Sequence, residues 1–431
     1  MLDIKELRKE PDLIKKKIHT KDPDANVDIV LELDEKVREL KSKVESLKSQ
    51  RNEFSKKIGD KKRNGEDVTA LMNEVSAISE ESHKLDAELN AIESQFNHEL
   101  SKLPNIPMED VKISLDPADN VCIKVWGEQR IFDFEPKNHV ELNEKLKLFD
   151  FERGAKISGA GWPIYRNIGA RLEWALINYM IDTHVENGYM QWMPSALVRE
   201  EILYGSGQLP KFESQQFRIK DDDYNLWLIP TAEVPLNALH SDEIMDEQEL
   251  PKRYVAYTPC FRREAGAAGR QERGLIRMHQ FNKVEMFCFA TPESSASIFD
   301  EMVMGAEKIL EGLGIHYRSM LLVTGDMSFA STKTVDIEVW LPGQHKEGKK
   351  SYYEVSSVSN CTSYQARRSN IRFRKGTEKP EFVHTLNGSG VATSRLMVAL
   401  IENNQNSDGS INIPPVLRKY MSGMTKIVPE A

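Results

Sequence analysis

Three arginines stand where they could grip phosphate. Arg262 opens the string Arg262-Arg263-Glu264, Arg277 opens Arg277-Met278-His279-Gln280-Phe281-Asn282-Lys283-Val284-Glu285, and Arg395 follows Asn387-Gly388-Ser389-Gly390-Val391-Ala392-Thr393-Ser394. A guanidinium donates paired hydrogen bonds to phosphate or carboxylate and stays charged at any working pH. Glu264 and Glu285 add carboxylates, and Phe281 adds a ring on which a base could stack. Together these types suit a phosphorylated, base-bearing ligand. The common nucleotide signatures, GxxxxGK[ST] and GxGxxG, do not occur in the chain.

Such residues need elements to hold them. Tyr254-Val255-Ala256-Tyr257 precedes the first string and Met286-Phe287-Cys288-Phe289 follows the second. The segment therefore reads as two antiparallel strands joined by a long loop containing Ala265-Gly266-Ala267-Ala268-Gly269. Alternation along a strand would set Arg262 and Glu264 on one face. The glycines after Asn387 allow close backbone approach. They lead into a helix that carries Leu396–Ile401 and has Arg395 in its first turns, where anions are favoured. A third segment, Gly188 to Pro194, follows the helical spacing Leu172, Leu176, Tyr179, Met180 and reads as a helix running into a strand that stops at proline. Taken singly, the second and third segments would suit any glycine-rich helix start or buried strand. The string from Arg262 to Glu285 is too specific for a solvated hairpin.

The first hundred residues have a different rhythm. Val30, Leu33, Val37, Leu40, Val44, Leu47, Arg51, Phe54 and Ile58 step by threes and fours, as do Val68, Leu71, Val75, Ile78, Ser82, Leu85, Leu89, Ile92 and Phe96. This is a heptad seam on each of two helices, on the order of 50 Å long. Asn64-Gly65 breaks the run and Asp67 can cap the second helix, so the two must pack antiparallel. Lysine and arginine crowd the first helix while Glu74, Glu80, Glu81, Asp86, Glu88 and Glu93 mark the second. Pairing of opposite flanks explains this sorting by itself. A cationic rod could in addition lie along an RNA backbone, with Lys36, Lys43, Arg51 and Lys57 as candidate contacts. The net charge of −9 argues against RNA affinity spread over the whole surface, so only such a local face could supply it.

Pro104, Pro107 and Pro117 interrupt the helical pattern. The expected organisation is residues 1–103 with a helical arm at about 28–101, a linker at 104–120, and a second domain at 121–431. The fold class is α+β: a long coiled coil plus an antiparallel sheet flanked by helices. No apolar run approaches the roughly 18 residues a membrane helix needs, and the start lacks a signal-peptide core. A cytoplasmic location is therefore expected. Cys122, Cys260, Cys288 and Cys361 form no CxxC pair, so no structural zinc is expected, and Cys260 and Cys288, set among apolar residues, read as buried, reduced thiols.

On these residues the chain resembles the bacterial seryl-tRNA synthetases over nearly its full length. The helical arm, Leu103-Pro104-Asn105-Ile106-Pro107, Pro230-Thr231-Ala232-Glu233, the Arg262–Glu285 block, Glu354-Val355-Ser356-Ser357, Gln365-Ala366-Arg367-Arg368 and Asn387-Gly388-Ser389-Gly390 match in order. The segments ending at Pro194, at Glu285 and around Arg395 look like motifs 1, 2 and 3 of class II synthetases.

The resemblance implies a ligase that activates L-serine with ATP and loads it onto tRNA(Ser), with tRNA(Sec) as a second substrate. It implies a homodimer built on motif 1, with the arm of one subunit gripping tRNA bound at the other. Arg262, Arg263, Glu264, Phe281, Arg395 and the run Glu354-Val355-Ser356-Ser357 should contact ATP, with Arg277 assisting. Glu354 and Ser357 should hold Mg2+. Thr231, Ala232, Glu233, Glu285, Asn387 and Ser389 should line the serine pocket. The chain departs from the family's pattern at Arg263, Val358, Ser363 and Thr393-Ser394. A relative that loads a carrier protein would lack the arm, and a non-catalytic paralogue would have lost Arg262, Glu285 or Arg395; this chain has them all.

Overall fold

The computed structural model of the protein describes residues 1–264, 274–344 and 351–430. The glycine-containing loop at 265–269 lies outside the described residues. The chain divides into two compact units, Met1–Pro104 and Asn105–Ala431.

In the first unit, short helices at Ile4–Lys9 and Pro11–His19 precede α1 (Val27–Arg63) and α2 (Thr69–Ser101). Asn26 caps α1 by accepting from the Ile29 amide, and Asp67 accepts from the Thr69 amide at the start of α2. Gly65 makes the turn at φ +75°, a conformation open to glycine. Lys41 pairs with Glu93 at 2.6 Å and Lys48 with Asp86 at 2.9 Å. The partner number falls as the first rises, so the helices run antiparallel. Val30, Leu33, Val37, Leu40 and Val44 are buried. Beyond Leu47 the seam is half-buried on both helices except at the small Ser82, because a two-helix rod has no third element to cover it.

The second unit is built on an eight-stranded sheet. Its strands are β1 (Val121–Trp126), β2 (Met190–Trp192), β3 (Lys252–Phe261), β4 (Gln280–Ala290), β5 (Tyr317–Leu321), β6 (Lys333–Trp340), β7 (Tyr352–Thr362) and β8 (His384–Ala392), in the spatial order β1-β5-β6-β7-β8-β4-β3-β2. All neighbours are antiparallel except β2 and β3, which run parallel, Met190 opposite Tyr254. The sheet is antiparallel as expected, apart from this one pair at its edge. The long stretch between β2 and β3 supplies the crossover that a parallel pair demands.

Three helices cover one face: α3 (Ile168–Glu186), α4 (Ser295–Leu313) and α5 (Thr393–Asn403). Leu172, Leu176, Met180, Ile298, Met302, Ile309, Leu396 and Leu400 join Val284, Met286 and Val358 of the sheet in one core. Val358, a departure from the family pattern, is fully buried there. The segment Asn387–Ala392, expected only as a glycine-rich approach, is itself part of strand β8. At Gly390 a Cβ would stand 2.7 Å from His184 Nε2, so β8 and α3 lie closer there than a side chain allows.

The residues expected as a linker are tied into the second unit. The Asn105 amide donates to Phe329 O at 2.9 Å and its side chain to Ala330 O and Cys361 O at 2.8 Å, while Met108 N donates to Thr332 O.

Candidate active site

β3 and β4 pair along their whole length, from Lys252 opposite Phe289 to Phe261 opposite Gln280. The pairing stops at Phe261, so Arg262 and Glu264 lie past the strand end. Glu264 has φ +48°, and alternation therefore does not place the two on one face as the spacing suggested. They meet through partners instead. Arg262 lies 5.1 Å over the Phe281 ring, and Glu264 accepts from Arg277 at 2.6 Å. Arg395, in the first turn of α5, donates to Glu354 O at 2.7 Å and faces the Glu354 carboxylate at 3.4 Å. These residues line one cleft of about 60 Å³. Arg277 and Arg395 are paired with the carboxylates of Glu264 and Glu354 across a narrow space.

Arg263 departs from this group. It is exposed, its amide donates to Gln215 O at 2.9 Å, and it lines a neighbouring cavity instead. Consecutive residues past the strand end address different spaces.

Lys283 and Ser389 line the cleft and are themselves buried, next to a cluster of polar residues. Thr231 Oγ1 donates to Glu285 Oε2 at 3.2 Å and receives Lys283 Nζ at 3.0 Å, and Lys283 also forms an ion pair with Glu285. Glu233 opens a short helix, Glu233–Ala238, that follows Thr231 and Ala232. Its carboxylate accepts from Gln365 at 2.6 Å and from Asn387 at 3.2 Å. Glu285 is fully buried, and its Oε1 has no hydrogen-bond partner among the described residues. Burial, then the Glu285 charge, raises the Glu233 carboxyl to a pKa of about 7, with Lys283 and Gln365 opposing. Ala232 is fully buried in the apolar floor, and Ser389 accepts from Ser356 through its carbonyl at 2.5 Å.

The donors expected to hold a metal are brought together by an irregularity. Glu354 and Ser357 are three apart, which on a regular strand means opposite faces. Ile337 opposes Ser356 and Glu338 opposes Glu354, so Val355 is an unmatched extra residue, a β-bulge. Val355 and Ser356 turn inward and are buried, whereas Glu354 and Ser357 are both partly exposed. Ser356 and Val355 therefore form the wall behind these donors. Asp336 lies opposite Ser357 on β6, and its Oδ1 is buried without a partner among the described residues. Burial and the Glu354 charge hold its carboxyl well above the ordinary range, against the Ser357 hydroxyl. An all-oxygen set with an orphaned carboxylate oxygen fits a hard divalent cation such as Mg2+.

Sequence reasoning missed Lys283, Gln365 and Asp336. Lys283 stood inside the strongest string and could have been found by asking what neutralises Glu285. Gln365 was quoted as part of a match without a role. Asp336 had no sequence signal. A further buried cluster fixes the site from behind. Glu173 of α3 accepts from Asn282 at 2.9 Å and from Thr393 at 2.5 Å, joining all three motif segments. Thr393, another departure from the family pattern, is thus well accommodated. Ser363 likewise accepts from Arg367 at 3.1 Å.

On the arm, Lys36 and Lys43 are exposed and form no ion pair among the described residues. Lys57 pairs with Glu53 at 2.7 Å, and Arg51 is half-buried in the seam. Cys260 and Cys288 are fully buried, and burial raises both thiols, Cys288 to about 12. Among the described residues no helix is long and apolar enough to cross a membrane.

Comparison with known proteins agrees with this arrangement. A model of the seryl-tRNA synthetase N-terminal domain matches residues 1–107, and one of the class II core domain of tRNA synthetases (G, H, P, S and T) matches residues 216–404. The serine–tRNA ligase of Chlamydia pneumoniae is 49% identical over 430 residues, covering 100% of both chains, and that of Chlamydia felis is 51% identical over 421 residues, covering 98% of each. The crystal structure of seryl-tRNA synthetase from Pyrococcus horikoshii complexed with ATP superposes with a TM-score of 0.91 at 38% identity, covering 100% of both chains. The cytoplasmic serine–tRNA ligase of Naegleria fowleri in complex with AMP gives 0.87 at 31%, covering 100% of this chain and 99% of that one. By sequence and by fold, the chain belongs to the seryl-tRNA synthetase family of class II ligases.

Proposed function

We propose that this protein activates L-serine with ATP to seryl-adenylate and transfers the seryl group to the 3′ end of tRNA(Ser). The observation that carries the reading is a hydrogen-bonded polar cluster of Thr231, Glu233, Lys283, Glu285 and Asn387 that adjoins an arginine-lined cleft through Lys283. Relatives named serine–tRNA ligase at about half identity, and a similar structure complexed with ATP, support it.

The chemistry follows from the charges. The serine ammonium group needs a carboxylate, which Glu233 or Glu285 supplies, and its hydroxyl needs buried partners such as Thr231 and Ser389. A site built to bond a hydroxyl rejects the analogue lacking it, because its own polar groups are left unpaired. The serine carboxylate attacks the α-phosphorus of ATP in line, and pyrophosphate leaves. Arg262 holds the α-phosphate and the serine carboxylate, while Arg395, with Arg277, holds the outer phosphates. Phe281 stacks on adenine, taking the place where Arg262 now rests, and Glu264 accepts from the adenine side. Phosphate and base would thus take over contacts that the cleft now satisfies internally. Mg2+ held by Glu354 and Ser357 would supply positive charge to the phosphate oxygens. A terminal ribose hydroxyl of tRNA then attacks the seryl carbonyl carbon, and AMP leaves.

Serine-dependent exchange of pyrophosphate into ATP, run over all twenty amino acids, tests this reading. Exchange with serine alone is expected; no exchange with serine would overturn it.

The Glu233 carboxyl adds a pH dependence. Its raised pKa means that the free site loses its charge as pH falls through about 7. The kcat/KM for serine is expected to drop about tenfold per pH unit below that point, since this parameter reports free-enzyme groups. Glu233→Gln should lower activity and remove that limb. A profile flat down to pH 5.5 would contradict the assignment.

The exposed lysines of the arm support its role in gripping tRNA. Lys36→Gln with Lys43→Gln is expected to raise the KM for tRNA and to make its salt dependence shallower by about 1 per lysine. Pyrophosphate exchange, which needs no RNA, is the control. An unchanged salt slope would remove these two from the interface.

A homodimer is supported by apolar side chains left exposed around motif 1: Trp174 at 53%, Met190 at 59% and Met193 at 86% exposure. Sedimentation equilibrium reads it directly, and a monomer at micromolar concentration would refute it. Charging of tRNA(Sec) beside tRNA(Ser) tests the second substrate, which rests on the family resemblance. A cytoplasmic location is supported by cysteines that form no disulfide among the described residues; fractionation of cells checks it.

A further inference from the structure

Glu402 lies in the last turn of α5, is fully buried, and has no part in the reaction proposed above. Among the described residues its carboxylate takes four hydrogen bonds. They come from the His139 amide and His139 Nδ1 at 3.0 Å, the Gly343 amide at 3.0 Å and the Gln344 side chain at 2.9 Å. His139 opens a short helix, His139–Leu146, and is buried as well. Its other ring nitrogen, Nε2, receives the Leu275 amide at 3.1 Å. A backbone N–H can only donate, so Nε2 carries no proton, and the ring proton sits on Nδ1 facing Glu402. At Gly274, with φ +74°, a Cβ would overlap Nε2, so only a glycine lets the chain come this close to the imidazole. The Ile276 carbonyl, one residue on, accepts from Arg395 Nε at 3.4 Å. Arg395 and Glu402 stand seven residues apart on α5, two turns, and so share a face. One helix thus holds Leu275–Ile276 at two points, directly through Arg395 and indirectly through Glu402 and His139.

We infer that His139 is a positioning residue of the nucleotide site: its Nε2 fixes the Leu275 amide and, through that segment, the two guanidiniums that hold the outer phosphates of ATP. The inference rests on the ATP reading given above and adds to it a residue that touches no substrate. Ile276, Arg277 and Met278 wall the arginine cleft. Leu275, Ile276 and Met278 are buried while Arg277 stays half-buried, so the path of the backbone at Leu275–Ile276 decides where the Arg277 side chain points. Arg395 meets the same segment through Nε on Ile276 O, and its Nη1 donates to Glu354 O. A shift of Ile276 therefore moves both guanidiniums together. Arg262, which holds the α-phosphate, is tied to the His279 carbonyl through its own amide instead. Loss of the Leu275 contact thus loosens the grip on the outer phosphates and spares AMP, which lacks them.

Two amide replacements separate the two ring nitrogens. In His139→Asn the side-chain amide reaches the place of Nδ1 and can still donate to Glu402, but the Leu275 amide is left without an acceptor. In His139→Gln the amide reaches the place of Nε2 and keeps an acceptor for Leu275. Both variants are measured for serine-dependent pyrophosphate exchange over a range of ATP and serine concentrations, and for AMP binding by calorimetry. In His139→Asn the kcat/KM for ATP is expected to fall about a hundredfold, the scale of a misplacement of about 1 Å from a distant change. A raised KM for ATP should carry most of that loss, with the KM for serine and the affinity for AMP within about twofold of the unaltered protein. His139→Gln should recover most of it. An unaltered KM for ATP in His139→Asn would overturn the proposal. So would glutamine faring no better than asparagine, which would assign His139 to holding Glu402 alone. A fall in kcat with both KM values native would mean only fewer folded molecules, and AMP weakening in step with ATP would place the damage away from the outer phosphates; each overturns it. KM is read on whatever fraction folds, and failure of both variants to fold would assign the residue to the core and overturn it too. Absence of serine-dependent exchange in the unaltered protein overturns the parent reading instead, and is established before any variant is made.

Discussion

Arg262→Ala is expected to lower serine-dependent pyrophosphate exchange by about a thousandfold, the scale seen when one preorganised donor to a charged transition state is removed. The geometry explains why no neighbour can substitute. The Arg262 amide donates to His279 O at 2.9 Å, and His279 Nδ1 stands 3.2 Å from Arg262 O. His279 is in turn packed 5.5 Å from Trp162, so the backbone that carries the guanidinium is clamped from both sides. Arg277 and Arg395 are committed to Glu264 and Glu354. Arg262→Lys keeps the charge and loses the planar fork, and should recover only part of the activity. Rapid-quench measurement of the adenylate itself decides the matter. Adenylate formed by the alanine variant at the native rate would remove Arg262 from the chemistry.

Lys283→Met should be the most destabilising single change in the polar cluster. Lys283 is 6% exposed, ion-paired to the fully buried Glu285 and bonded to Thr231. Removing it strands a carboxylate in the interior, which costs about 3–5 kcal/mol when a buried pair is broken from one side. That is a large share of the roughly 5–15 kcal/mol by which folded proteins are stable. Chemical-denaturation midpoints of variant and parent check this, and equal midpoints would mean that the pair contributes nothing to stability. The KM for serine should rise as well, because Thr231 and Glu285 lose the group that positions them.

Much of this was readable from residue order, and the parts that were not share a cause. The heptads of the arm predict two helices because a 3.5-residue period leaves no other element. The two helices fall at Val27–Arg63 and Thr69–Ser101, close to the expected arm. Strands β3 and β4 were legible from apolar runs flanking a polar string. What failed was inference by parity. The faces of Arg262 and Glu264 were counted along a strand that ends one residue earlier, and a positive φ at Glu264 resets the count. The placing of Arg263 in a different cavity has the same origin. Asp336 escaped notice because its importance lies in what it opposes across the sheet, and register has no trace in a single strand's sequence. Lys283 was visible, but its burial was not, since lysine is seldom fully buried unless paired.

The bulge at Val355 has a bearing on how this strand can change length. Within the stretch of β7 that pairs with β6, from Tyr352 to Asn360, Val355 alone has no opposite number. A deletion almost anywhere else along β7 would turn every side chain on one side of the cut to the wrong face. Loss of Val355 would not, because the partner strand already skips it. The core would lack a valine, yet Glu354 and Ser357 would stay side by side. The bulge thus acts as an expansion joint, a place where this part of the catalytic sheet can shed a residue and keep both of its faces in phase.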